Sequence, residues 1–413
     1  RTAQALADQV VMPNFWMIVG ASFGRIALGF LLSFAVGFLL ALVACRVRLF
    51  RDFVDPIISL LRTIPVASFI ILLLIWVGNQ ALTVFLAFFI VLPLIYTNMV
   101  TGFESVDKQM LEMARVYGLS KWRTFLYVYR PAFMPFLLSS TKISLGMTWK
   151  SGIMAEVLAT PKPSIGKEMA TARTFLDTPD LLAWTVLVVM ASWACERVLV
   201  WLLRASGPAA WRAVVLSRGR GLRGRASGSA GGGVAAELAL AVGDRAPWAP
   251  ALDGLVLNVP AGGRICVMGT SGVGKSTLLA LAAGECAPCS MVFQDVRLVE
   301  GASALDNVLV CADARVDASS AAALLRLLVP GVDVHARVAE LSGGQRRRVE
   351  IARALLCPGG AVILDEPFTG LDTAARDACA EIVLDLLDGR MLLLATHDAV
   401  DAQALNISDI ITL

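Results

Sequence analysis

The sequence predicts two halves of different kind: an all-α membrane-spanning half over residues 1–204 and an α/β head of P-loop NTPase type over 237–413. Three observations carry this. The 413 residues are 57% hydrophobic and 17% charged, against about 45–50% and about 25% in soluble domains. The apolar residues are unevenly placed, with long uncharged runs over 15–204 and a globular composition beyond 237. An apolar strand, Arg264–Met268, also runs into GTSGVGKST and a helical run LLALAA, the strand–loop–helix context that a phosphate-binding loop requires. An ordinary soluble enzyme, a disordered chain and a collagen-like chain are excluded.

A bilayer span needs about 20 mostly apolar helical residues. Five stretches qualify: 26–45, 57–78, 80–101, 132–151 and 181–203. Segments 46–55, 102–131 and 204–225 hold 14 Lys and Arg, whereas 1–24, 79–80 and 152–180 hold four. The positive-inside bias places the first set in the cytoplasm. Five spans leave the start outside and the head inside, so a sixth helix is expected to be missing ahead of Arg1.

Pro65 and Pro93 fall inside apolar runs and read as packing kinks. Lys142 and Lys150 lie on one predicted span, with Glu156 six residues after Lys150, and a charge at membrane depth usually faces a pathway or a partner. Lys142 reads equally as a snorkelling cation. Lys150, in TWKSGIMAE, is the candidate pathway residue, a cation near midplane for an anionic solute.

The loop 102–131 reads as cytoplasmic, with a short amphipathic helix over 107–117. Met110, Leu111, Met113, Ala114 and Tyr117 form its apolar face, and Gly118 stops it. Such a face needs a partner to cover it. Residues 205–236 then turn to Gly, Ser, Ala and Arg, a flexible linker whose arginines (Arg212, Arg218, Arg220, Arg223, Arg225) suit lipid headgroups.

In the head, Gly269, Thr270, Ser271, Gly272, Val273, Gly274, Lys275, Ser276 and Thr277 form G-x4-G-K-[ST]. The glycines let backbone N–H groups curl around phosphates at a helix N-terminus. Lys275 is assigned to the β and γ phosphates of ATP and Ser276 to Mg2+. Lys275 is the only lysine in 237–413, a compact ammonium in a domain that otherwise uses arginine. A second apolar strand, Ala361–Leu364, delivers Asp365 and Glu366, one carboxylate for the metal and one beside the attacking water. Between the strands, Leu341-Ser342-Gly343-Gly344-Gln345 opens a helix and makes a second anion nest.

Two resemblances follow. Glu112, Ala114, Gly118, Val128 and Pro131 match the E-A-A-x3-G-x9-I-x-L-P loop of binding-protein-dependent ABC importer permeases, with departures at Met113, Val128 and Arg130. With DPIISLLRTIP upstream, residues 22–204 resemble permeases of the nitrate, sulfonate and taurine group. In that family the loop is a coupling helix that docks on the ATPase. Residues 237–413 resemble ABC nucleotide-binding domains. The resemblance implies that Gln294 is the Q-loop glutamine, Gly370-Leu371-Asp372 the D-loop and His397 the switch histidine, with Ser342–Gln345 as the signature that completes a second copy's ATP site. His335 reads as solvated. Three departures stand out. Only 19 positions separate Lys275 from Gln294, about half the family's usual spacing. The adenine-stacking aromatic falls at about Val242, with Trp248 as its possible substitute. No C-terminal regulatory domain is expected after Leu413.

Eight cysteines show no disulfide framework. Cys286 and Cys289 form a C-x2-C without two further ligands at zinc spacing, and read as reduced thiols. The net charge of +3 is too small to point to nucleic acid.

The resemblance implies a half-transporter in a prokaryotic cell membrane with its ATPase cytoplasmic. It would act as a homodimer, use ATP and Mg2+, and import a small, possibly anionic solute from an extracytoplasmic binding protein. An exporter of a lipophilic compound, or a membrane ATPase acting on a partner protein, are the alternatives.

Overall fold

The computed structural model describes residues 2–205, 238–242, 249–286, 288–313 and 315–413. They fall into two compact units, residues 1–106 with 132–211 and residues 107–131 with 212–413. The expected linker lies outside the described residues from 206 onward, as does Trp248.

Up to residue 205 the chain is helical: α1 Thr2–Val11, α2 Phe15–Arg46, α3 Arg48–Thr63, α4 Val66–Glu104, α5 Lys108–Val116, α6 Lys121–Thr124, α7 Arg130–Ala159, α8 Ile165–Thr174 and α9 Thr178–Ala205. In the membrane unit, α2 packs along α4 through small residues. A Cβ on Gly29 would lie 2.8 Å from Ala87 Cβ and from the Val84 carbonyl, and Ala41 and Ala44 are buried. Small side chains let membrane helices approach closely where the hydrophobic effect supplies no drive between them. Ser33 Oγ donates across this seam to the Phe88 carbonyl at 2.8 Å.

Among the described residues, three helices are long and apolar enough to cross a membrane: Phe15–Arg46, Ser68–Glu104 and Thr178–Ala205. The expected spans 26–45, 80–101 and 181–203 lie within them. The expected span 57–78 does not exist as one helix. Residues 57–63 end the amphipathic α3, whose Val54 and Ile58 are buried while Arg48 and Asp52 are exposed. Ile64, ahead of Pro65, takes an extended backbone (φ −64°, ψ 125°), as a residue before proline prefers. Helix α4 then breaks at Gly78 (φ 73°, ψ 178°). Residues 66–77 alone rise only about 18 Å against a hydrocarbon thickness of about 30 Å. The expected span 132–151 lies inside α7, whose many hydroxyls (Ser139, Ser140, Thr141, Ser144, Thr148, Ser151) lower its apolar character.

Glu156 on α7 has the partner that its depth demands. It is fully buried and accepts from Ser22 Oγ at 2.7 Å and from Arg25 Nε and Nη2 at 3.1 and 2.9 Å. The Gly166 amide adds a fourth donor at 3.2 Å. Arg25 also donates to the Pro163 carbonyl and Ser22 accepts from the Ile165 amide. The turn into α8 is thereby tied to α2 and α7.

The second unit holds a parallel sheet in the order β4 (Ser290–Val292), β5 (Ala361–Asp365), β6 (Met391–Thr396), β3 (Arg264–Met268), β7 (Asp409–Thr412). A separate antiparallel pair joins β1 (Leu238–Ala241) to β2 (Val256–Val259). Strands β5 and β6 are buried at every position, the unbroken apolar pattern of strands covered on both faces. Helices α10 (Lys275–Glu285), α11 (Ala304–Leu309), α12 (Ala318–Leu328), α13 (Gly343–Leu356), α14 (Thr373–Leu386) and α15 (Ala399–Ala404) complete it. The segment 107–131 belongs to this unit although membrane helices flank it in sequence.

Candidate functional site

Strands β5, β6 and β3 are neighbours, so the residues at their C-terminal ends converge. β3 delivers the glycine-rich loop, β5 delivers Asp365 and Glu366, and β6 delivers His397. Gly274 caps α10 in the left-handed region (φ 115°, ψ 7°), and a Cβ there would press on Ala249 and Leu252 at 3.3 Å. Lys275, 5% exposed, donates from Nζ to the Gly269 and Thr270 carbonyls at 2.6 and 3.2 Å. Its ammonium is 3.9 Å from Glu366 Oε1, which is 3.4 Å from His397 Nδ1. Glu366 holds a left-handed backbone (φ 46°), a conformation uncommon for a non-glycine residue. Its amide donates to the Ala395 carbonyl at 2.9 Å, which anchors the strained turn to β6.

A cleft of about 240 Å³ is lined by Ser271, Gly272, Gly274, Lys275, Ser276, Thr277, Gln294 and Glu366. Ser276 Oγ lies 3.4 Å from Gln294 Oε1. Asp365 is 2% exposed, its Oδ1 buried without a hydrogen-bond partner among the described residues. Burial pushes its carboxyl above the usual range, while a Ser276 hydrogen bond pulls it back. An orphaned buried carboxylate oxygen beside a hydroxyl and an amide oxygen is a donor set that suits a hard divalent cation.

Ser342, Gly343, Gly344, Gln345 and Asp372 do not line this cleft. Ser342 and Gln345 cap α13 reciprocally, side chain to backbone, at 3.3 and 2.8 Å. Asp372 caps α14 by accepting from the Ala375 amide at 2.7 Å. Val242 is buried in the core and His335 is exposed. Cys289 is buried, which pushes its thiol up to about 12.

The amphipathic helix meets its partner within the same unit. Asp107 caps α5 by accepting from the Gln109 amide at 2.8 Å. Met113, Val116 and Tyr117 join a core with Cys289, Met291 and Phe293. Tyr117 Oη donates to the Met291 carbonyl at 2.6 Å, and the Cys289 amide to the Val116 carbonyl at 3.2 Å. Glu112 pairs with Arg297 at 2.8 Å. Ala114 is buried. Gly118 is left-handed (φ 60°), packed against Pro288.

A buried charge cluster, unremarked in the sequence reading, backs this dock. Glu350 on α13 is fully buried and pairs with Arg347 at 3.0 Å and Arg353 at 3.2 Å. Arg347 donates to the carbonyls of Phe293 and Gln294. Arg353 lies 4.9 Å from the centre of the Tyr117 ring and donates to the Arg297 carbonyl. Its signal was present in RRRVEIAR, where two arginines flank one glutamate at helical spacing. The membrane candidate Lys150 is exposed on α7.

The fold and site define a P-loop ATPase-type unit joined in one chain to a unit of apolar membrane helices. Residues 33–212 match the family of binding-protein-dependent transport system inner membrane components, and 287–369 match the ABC transporter family. The chain therefore carries a permease domain of the first kind and an ABC ATPase domain, and is a multi-pass membrane protein. It is 32% identical to the nitrate import permease protein NrtB of Leptolyngbya laminosa, over 35% of this chain and 52% of that protein. It is 26% identical to the taurine transport system permease protein TauC of Escherichia coli, over 47% of this chain and 71% of that one. The chain thus spans about half the length of the former. The dimeric post-hydrolysis structure of the ATP-binding cassette MJ0796 with ADP and Pi aligns at a TM-score of 0.36 and 23% identity, covering 43% of this chain and 92% of that one.

Proposed function

We propose that this protein is an ATP-driven importer in which a permease domain (residues 1–204) is fused through 205–236 to its own ATPase (237–413), working as a homodimer. The observation that supports it most is the docking of α5 on the ATPase core through Tyr117, Glu112 and Gly118. That segment is continuous in sequence with α4 and α7, so movement of the head is passed directly to membrane helices.

In this reading Lys275 and the amides of 269–277 bind the ATP phosphates, and Ser276, Gln294 and Asp365 hold Mg2+. When bound, Mg2+ neutralises charge on the transferring phosphoryl group. Glu366 takes the proton of the attacking water, and His397 holds the γ-phosphate. Ser342–Gln345 and Asp372, outside the cleft of their own chain, serve the cleft of the second copy. Two-fold pairing then gives two complete sites.

An extracytoplasmic binding protein is the expected solute donor, given the permease family matched. The test is a mild-detergent pull-down from native membranes with mass spectrometry. Co-purification of a solute-binding protein that stimulates ATP hydrolysis supports import. Absence of any such protein, with hydrolysis stimulated instead by lipophilic compounds, overturns import in favour of export.

A further inference from the structure

Building on the transporter reading, we propose that Arg62 anchors a solute site within the membrane unit, and that the solute is an organic anion with an apolar body. A cavity of about 420 Å³ opens where α3 ends and the chain turns at Ile64 into α4. Arg62, Phe69, Phe89 and Pro93 line it, and Met147 of α7 forms part of its wall. Arg62 is the only charged residue in that lining.

The guanidinium is oriented. Nη2 donates to the Pro93 carbonyl at 3.0 Å and also to Thr97 Oγ1. Nε and Nη1 carry three more N–H donors, and these have no partner among the described residues. No carboxylate pairs with Arg62 among those residues either. Arg62 itself is exposed on the amphipathic α3, so these donors are open to an incoming anion. A fork of free N–H groups fits the oxygens of a carboxylate or sulfonate.

The rest of the wall sets the body of the ligand. Phe69 and Phe89 meet edge to face, with ring centres 5.3 Å apart, and the remaining lining is aliphatic apart from Met147 and Pro93. The volume falls in the range of sites for organic ligands, about 300–1,000 Å³. A bare inorganic oxyanion would fill only the Arg62 end and leave the aromatic wall in water. Lys150, the cation singled out from the sequence, is absent from this lining.

The test uses the full chain in nanodiscs of phosphatidylcholine alone, with radiolabelled phenylbutanesulfonate as the probe. Saturable binding is expected, with Kd raised about tenfold or more by Arg62→Gln. Arg62→Lys should fall between, because it keeps the charge and loses the fork. Phe69→Ala should weaken phenylbutanesulfonate more than methanesulfonate. On the wild-type protein, nitrate should compete far less well than unlabelled phenylbutanesulfonate. Equal binding by wild type and Arg62→Gln, or nitrate competing as well as the sulfonate, overturns the proposal. So does native mass spectrometry in which phosphatidylglycerol, added to the discs, is held by wild type, lost from Arg62→Gln and not displaced by the sulfonate. ATP hydrolysis by the wild-type protein in the same discs separates the failures. Hydrolysis without Arg62-dependent binding sinks this site alone, whereas no hydrolysis sinks the transporter reading.

Discussion

A Cβ built on Gly118 would lie 2.9 Å from Cβ of Pro288. Gly118 is held both by its left-handed φ of 60° and by this contact, so the end of α5 has no room for a side chain. Gly118→Ala is expected to cost about 1–3 kcal/mol and to loosen the dock. Denaturant unfolding of the purified chain measures the first effect. Solute transport per ATP hydrolysed measures the second and should fall; an unchanged ratio would show that this contact does not couple the two events.

Glu366 sits within 3.9 Å of Lys275 and 3.4 Å of His397 at the head of β5. Glu366→Gln keeps the shape and removes the proposed base. ATP hydrolysis should drop about 10²–10⁴-fold while ATP still binds, read by phosphate release alongside equilibrium binding. Substantial residual turnover would require another base.

The raised Asp365 carboxyl gives a pH dependence with two opposite signs. In the proposed role Asp365 holds Mg2+ in its ionised form, so Mg2+-dependent ATP binding should begin to fall on acidification at a higher pH than an exposed aspartate would dictate. Burial is the cause of the raise. A carboxyl with a raised folded-state pKa binds more protons folded than unfolded, so its own contribution to stability is lost as pH rises through that window. Titrating ATP affinity against pH for wild type and Asp365→Asn checks this: the variant should bind weakly with Mg2+ and show a flatter profile. A wild-type profile that is equally flat would contradict the assignment.

Glu350 compensates two buried arginines. Glu350→Ala leaves Arg347 and Arg353 without a counter-charge and should destabilise the chain by about 3–5 kcal/mol. Adding Arg347→Met should recover part of the loss by removing one uncompensated charge. Thermal unfolding of the single and double variants decides it; strictly additive losses would mean that the pair is not coupled.

What was legible in the sequence follows from chain distance. Residues 269–277 are consecutive, and a glycine-rich loop between an apolar strand and a helix has few other conformations, so the strand–loop–helix geometry could be read directly. Glu366 and His397 were reachable too, because each follows an apolar strand and parallel strands bring their C-terminal ends together. The pairs that tie distant segments were not. Arg25 and Glu156 lie 131 positions apart, and Arg297 and Glu112 lie 185 apart, and neither spacing leaves a periodic signal. The run 57–78 was misjudged as one span because composition registers apolarity without backbone state. Ile64, extended ahead of Pro65, ends one helix there, and Gly78 ends the next.

The placement of 107–131 in the same compact unit as the ATPase bears on how such a chain could arise. The head is tied to the membrane helices twice: once by the covalent path through 206–237, and once by a non-covalent grip on a segment threaded between α4 and α7. A covalent connection makes the grip an intramolecular contact, so it needs only modest intrinsic affinity while the connection exists. Cutting the gene at the tether would turn an intramolecular contact into a bimolecular one without changing a single contact atom. The two products would then find each other according to their abundance, and the grip alone would decide whether they stay together.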